Sequence, residues 1–194
     1  MNTKRTPTMT VVQWNDWEGD GRQYCSLTES PTHFQLEGVV VSSRESPYGA
    51  YFNVTMDSDF VAREVEVDYL GLASLHIKRT VDGEWYDCIR QQALHYLKGC
   101  VDVDIGVTPS TNTLPIRRLA LMTGESRDID VAYIPLPSEI DGDFLPIPAK
   151  ERYTCLKQGR TYLYEGIFRG FKAALEVDEH GIVTDYPETF RRVV

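Results

Sequence analysis

The chain has 194 residues, 42% of them apolar and 25% charged, enough for one sizeable core and too few for two independent domains of ordinary size. Its 20 Lys and Arg stand against 29 Asp and Glu, a formal charge of −9, which argues against a nucleic-acid partner because a phosphate backbone is held by clustered cations. No stretch approaches the ~20 consecutive apolar residues that span a bilayer, and the start MNTKRTPTMT lacks the apolar core of a secretory signal, so a soluble cytoplasmic protein without a transmembrane segment is expected.

Residues 1–10 are polar and are expected to fray. Val11 to Trp14 can enter a first strand, and a loop rich in glycine and acids follows over 15–22. Residues 34–42 and 49–57 read as strands joined by the turn Ser46-Pro47-Tyr48-Gly49, a meander. Over 61–69 the odd positions Val61, Arg63, Val65, Val67 and Tyr69 form one face, and Glu64, Glu66 and Asp68 lie on the other. Arg63 thus falls on an apolar row. There it needs an acid such as Asp102 or Asp104, or an anionic ligand that suits a guanidinium fork, since an unpaired buried charge costs several kcal/mol. Residues 72–80 continue as strand, Asp82-Gly83 makes a tight hairpin turn, and 84–86 return. Asp87 then stands as a helix N-cap, with Ile89, Ala93, Tyr96 and Leu97 at helical spacing and Gly99 just past the end, which predicts one short helix.

The stretch CVDVDIGVTPSTNTLPIRRLA, residues 100–120, concentrates the chemistry. Val101, Val103 and Ile105 alternate with Asp102, Asp104 and Gly106, so a strand points both carboxylates the same way, roughly 7 Å apart at ~3.3 Å per residue. Repulsion between them raises one pKa unless cations or donors stand opposite. After the hydroxyl-rich turn Thr108 to Thr113 the chain resumes with Leu114 and Ile116 on even positions and Leu119 and Leu121 on odd ones. That change of parity predicts a strand with a β-bulge between Arg117 and Arg118, and a hairpin-like return that sets an arginine opposite the Asp pair. Beyond Leu121 come an acidic loop, a strand over 131–136 and a segment punctuated by Pro135, Pro137, Pro146 and Pro148, which connects two halves of one domain. Residues 153–156, 161–168 and 171–177 read as strands, with Phe171, Ala173, Leu175 and Val177 on one face. The segment from Val81 to Asp87 is echoed from Val177 to Asp185, each a strand, an Asp and Gly turn, and a strand ending in Asp.

The string DVDIGVTPSTNTLPIRRL, followed by Tyr153, Phe171, Val177-Asp178, Gly181-Ile182-Val183 and Asp185-Tyr186-Pro187, resembles the signature of a bacterial family described as "Putative glycolipid-binding". The resemblance covers most of the chain and is weak before about Gly38. It implies a mainly β, antiparallel spiral β-roll, comparable in shape to envelope lipoprotein carriers. The roll would be built from two similar halves, roughly 34–121 and 130–190, within a single domain of residues 1–194, with a role in glycolipid binding or metabolism.

Three readings of the polar residues follow. In the first, Arg63, Asp102, Asp104, Asn112, Thr113, Arg117 and Arg118 form the polar end of a cavity that binds an amphiphilic, glycolipid-like molecule, with Tyr51, Tyr153 and Tyr164 on its walls. In the second, the Asp-x-Asp strand and the arginines form a buried brace that fixes the winding of the roll. In the third, Asp102 and Asp104 serve as acid and base in glycoside hydrolysis, against which stands their origin on one strand, because that mechanism needs carboxyls flanking the scissile bond. Cys25, Cys88, Cys100 and Cys155 lack a C-x-x-C spacing, and His33, His76, His95 and His180 are equally scattered, so no metal, redox dithiol or cofactor is assigned. An Asp-x-Asp pair is also a poor calcium site, since Ca²⁺ takes 6–8 oxygens.

Overall fold

A computed structural model describes residues 7–193. Its first half contains β1 (Thr8–Asp16), β2 (Arg22–Glu29), β3 (His33–Ser42), β4 (Tyr48–Asp57), β5 (Ala62–Tyr69), β6 (Ala73–Arg79), β7 (Trp85–Asp87) and β8 (Gln92–Ala93). The second contains β9 (Asp102–Ile105), the helix α1 (Thr113–Leu119), β10 (Ser126–Ile134), β11 (Ile147–Lys157), β12 (Thr161–Gly166), β13 (Phe171–Val177), β14 (Val183–Tyr186) and β15 (Phe190–Arg192). All fifteen strands belong to one sheet in the order β8 to β1 and then β15 down to β9. The two ends of the chain therefore pair in the middle of the sheet, Trp14 opposite Arg192, while β8 and β9 stand at its open edges. Among the described residues no helix is long and apolar enough to cross a membrane.

Alternation decides which face is buried. On β4 the row Ala50, Phe52, Val54 and Met56 points inward, on β5 Val65, Val67 and Tyr69, and on β6 Leu75 and Ile77, all within one continuous core. Each such side chain contributes about 1.5–3 kcal/mol on full burial. Long side chains stitch the curled inner face together. The Trp14 indole donates to the Val183 carbonyl at 2.8 Å, Gln23 Nε2 to Val107 at 2.9 Å and the Tyr69 hydroxyl to Pro135 at 2.7 Å. The result is a mainly β roll, as expected. Residues 43–47 join β3 to β4, so Tyr48 and Gly49 of the expected turn already pair in β4 with Ser42 and Val41, and Gly83, at φ +86°, closes the β6–β7 hairpin. In the echoed segment Gly181, at φ +75°, occupies the matching turn before β14.

Several expectations are corrected. The frayed start falls partly on residues 1–6, outside the described residues, but Thr8, Met9 and Thr10 are already paired with Glu29, Thr28 and Leu27. Residues 87–99 are not a helix. Asp87 Oδ1 does accept from the backbone N–H groups of Ile89 and Arg90, at 2.9 and 3.1 Å, as an N-cap would. Gln91 then turns left-handed at φ 56°, and β8 folds back onto β7. Of the expected stripe Ile89, Ala93 and Tyr96 are exposed and only Leu97 is buried, in a short 3-10 turn over His95–Leu97, so the stripe forms no continuous buried face. Conversely, residues 113–119 are helical where a bulged strand was expected. Pro115 sits in the first turn, where its missing N–H costs no hydrogen bond, and Ala120, at φ 47°, ends the helix. β9 and β10 run parallel, Asp102 opposite Val131 and Asp104 opposite Tyr133, and two parallel strands need a crossover rather than a hairpin. The helix lies in that crossover.

Candidate functional site

A cavity of about 380 Å³ opens where β9 ends against β12, β13 and the β14–β15 turn. Asp104 is its acidic floor, its side chain 16% exposed. The Thr111 hydroxyl donates to Asp104 Oδ1 at 3.4 Å, and Arg169 Nη2 lies 3.6 Å from Oδ2. Behind it stands Glu151, only 1% exposed, within hydrogen-bonding reach of Asp104 and accepting from the Tyr164 hydroxyl at 3.0 Å. Glu151 occupies the inward row of β11 between Ala149 and Tyr153.

Burial raises both carboxyls above their usual range, and Glu151 rises further because the Asp104 charge adds to its desolvation. Two neighbouring carboxyls cannot both ionise cheaply in a buried site, so Glu151 keeps its proton to higher pH than Asp104 does. Tyr164, Phe171, Tyr186 and Phe190 form the aromatic wall, and Arg44 and Arg169 face it from the rim. The Arg44 guanidinium stacks on Phe190 at 4.9 Å, and that of Arg169 lies 4.3 Å from the Tyr133 ring centre. Gly106 has no room for a side chain, because a Cβ there would meet the Tyr133 hydroxyl at 2.7 Å.

The expected site residues separate into two groups. Asn112 joins the cavity with Asp104: it lines the wall, donates from Nδ2 to the Pro109 carbonyl at 3.1 Å and accepts the Tyr153 hydroxyl at 2.7 Å. Tyr153 is buried behind it, and Tyr164 faces the cavity. Thr113 is buried next to Asn112, and its hydroxyl meets no partner.

The others lie elsewhere. Asp102 is fully buried and forked by Arg118, whose Nε donates to Oδ1 at 3.0 Å and whose Nη2 donates to Oδ2. The helix therefore delivers the arginine that a hairpin was expected to supply. Arg117 turns away to fork Glu29 and stacks on Phe60 at 4.2 Å. Arg63 is the extra residue of a bulge: Thr55 pairs with Glu64 and Met56 with Ala62, so the alternation breaks at 63 and Ala62 takes the inward place. Its Nε donates to Asp57 Oδ2 at 2.9 Å instead of reaching Asp102 or Asp104. Tyr51 points outward and donates to Glu37 at 2.9 Å.

Glu151, Arg44, Arg169, Tyr186 and Phe190 were not anticipated. Glu151 had a legible signal, an acid on the alternating apolar row of Ala149, Tyr153 and Cys155. Arg44 and Arg169 lie in turns and carry none. Groups with metal-ligand spacing meet on the outer face of β5 and β6, where His76 Nε2 is 2.7 Å from Glu64 and 3.6 Å from Glu66. Lys78 Nζ already sits 3.1 Å from Glu64, which makes this an ion-pair ladder between neighbouring strands.

A crystal structure of a DUF1089 family protein from Pseudomonas aeruginosa is similar to this chain, with 34% sequence identity, coverage of 88% of this chain and 92% of that one, and a TM-score of 0.72. A comparison with curated proteins gives no match. The model of the family described as "Putative glycolipid-binding" matches residues 11–192, nearly the whole roll including the Asp104 cavity, and the chain belongs to that family.

Proposed function

We propose that the chain binds the hydroxyl-bearing head of an amphiphilic, glycolipid-like small molecule in the Asp104 cavity. The observation that carries this reading is Asp104 on the floor of an aromatic-walled cavity, with Arg44 and Arg169 at the rim and the buried Glu151 behind it. Asp104 offers acceptors to neighbouring hydroxyls and Arg169 and Arg44 at the rim offer donors, while Phe171, Tyr186 and Phe190 offer ring faces to a sugar's C–H edges. A volume of about 380 Å³ lies at the lower end of the ~300–1,000 Å³ usual for ligand pockets, which suits a head group alone. The family description agrees with this reading.

The brace reading is favoured for Asp102 alone, because its fork with Arg118 is sealed from the cavity. The pairing of Asp102 with Asp104 as acid and base loses its footing for the same reason: only Asp104 can touch a bound molecule. Native mass spectrometry of gently purified protein tests the proposal. A co-purifying amphiphile is expected, lost in Asp104→Asn and retained in Tyr51→Phe; an unliganded wild type that also ignores added glycolipid would count against it.

A further inference from the structure

Two further hollows lie in succession beside the head-group cavity. One, of about 390 Å³, shares Arg169 with it and has an apolar side of Tyr133, Ile140, Leu145, Ile147 and Phe168 and an acidic side of Glu139, Asp141 and Asp143. The next, of about 350 Å³, shares Phe168 and is floored by Pro148, Ala149 and Ile167. Ile147, Ile167 and Phe168 are exposed at 47%, 45% and 37%, so three large apolar side chains face water along a single path. Arg169 stands where the character changes. Its charged edge meets Asp104 at 3.6 Å and Glu139 at 3.8 Å, while its flat faces lie against Tyr133 at 4.3 Å and Phe168 at 4.6 Å.

We infer that this path from Arg169 past Phe168 to Ile167 is the seat of a single alkyl or acyl chain, the tail of the same molecule whose head occupies the Asp104 cavity. The inference rests on the head-group reading and adds to it the class of ligand, a single-chain amphiphile. Three features select this occupant. The hollows adjoin the head cavity across a shared residue, Arg169, the head cavity is too small to hold a tail as well, and the surface from Phe168 onward is mostly apolar, with Asp130 and Lys150 at its margin. A tail leaving a head bound at Asp104 crosses the aromatic faces of the Arg169 stack and comes to rest on Ile147 and Ala149.

Alkyl glucosides of increasing chain length, each kept below its micelle concentration and titrated into the isotope-labelled full chain, provide the test. Affinity is expected to rise about threefold to fourfold per added methylene, the value for hydrocarbon leaving water. The surface double variant Ile147→Asp/Ile167→Asp is expected to flatten that slope and leave the shortest glucoside unaffected. Asp104→Asn is expected to weaken every member by a similar factor and keep the slope. A slope that survives the double variant overturns the tail path while leaving the head reading intact. Loss of the slope in the double variant together with indifference to Asp104→Asn supports the path and sinks the head reading. Binding by no member overturns the proposal. So does a double variant that converts a dimer to a monomer with the slope unchanged, since a second copy would then cover the groove. If the double variant does not fold, a glucoside with a nitroxide at its chain end decides: broadening at Ile167, Phe168 and Ala149 supports the path, and broadening confined to other strands overturns it.

Discussion

Strands β1–β8 and strands β9–β15 feed the same core, but they treat charge differently. In the first set the buried rows carry no charge along the middle of each strand, their polar members there being the neutral Gln23 and Ser26, and the buried acids Asp16 and Asp87 stand at strand ends. There Asp87 is met by loop N–H groups and by Arg90 at 3.2 Å. Other charges are sent outward, into ladders such as Glu64 with Lys78. In the second set Glu151 sits in the middle of an inward row, Asp102 and Asp104 lie on the edge strand β9, and tyrosines replace aliphatic residues around them. A charge in a core persists only where partners replace its lost water, and here Arg118, Arg169, Thr111 and Tyr164 do so. The contrast separates a half that holds the fold from a half that spends stability on a polar cavity.

The largest expected effect probes the first half. Phe52→Ala should cost about 4 kcal/mol, as for aromatic truncation in a packed core, with no change in ligand affinity beyond that from unfolding; thermal melting and a binding titration together check it. Next, Asp102→Ala leaves Arg118 facing an emptied, buried site and should cost about 3 kcal/mol, roughly 6–12 °C in melting temperature. If the protein melts at its usual temperature, Asp102 is not a brace and the distinction between it and Asp104 fails.

A smaller effect concerns pH. Glu151 is held above its ordinary value of 4.5 in the folded state, so the unfolded chain releases that proton first as pH rises. Its contribution is therefore fully present below about pH 4.5 and declines as pH climbs toward the folded value. Denaturant midpoints compared at about pH 5 and pH 8 should show a decline in the wild type that is shallower in Glu151→Gln. Identical slopes would remove the Glu151 proton from the description of the cavity. Least of all, Tyr51→Phe deletes an outward hydroxyl bonded to exposed Glu37 and should shift stability by under ~0.5 kcal/mol without affecting binding. A loss of affinity there would return Tyr51 to the site.

How much could be read in advance depended on whether a rule was local. The strands from β3 to β6 and the Asp82-Gly83 turn followed from alternation and turn chemistry, because each residue's face is set by its immediate neighbours. The rule failed at Arg63, where a one-residue bulge moved it off the apolar row, and bulges have no reliable local mark. It failed again in α1, whose few apolar positions fit either a short helix or a bulged strand. Only the parallel pairing of β9 with β10 selects the helix. Residues 87–99 failed in the opposite sense: the capping acid was real, but Leu97 alone of the expected stripe is buried, and the turn the acid opens did not propagate.

The amino-acid order alone determined that this is a β-rich chain with acids and arginines gathered around residues 102–118, since composition, period-2 alternation and turn residues act over a few positions. It did not determine which acid meets which partner. Asp102 went to Arg118 and Asp104 to Glu151 and Arg169 because strands distant in the chain, β9, β11 and the turn after β12, are brought together when the sheet curls on its apolar face. Burial then decides which carboxyl keeps its proton, a property no residue has until its neighbours have displaced the water around it.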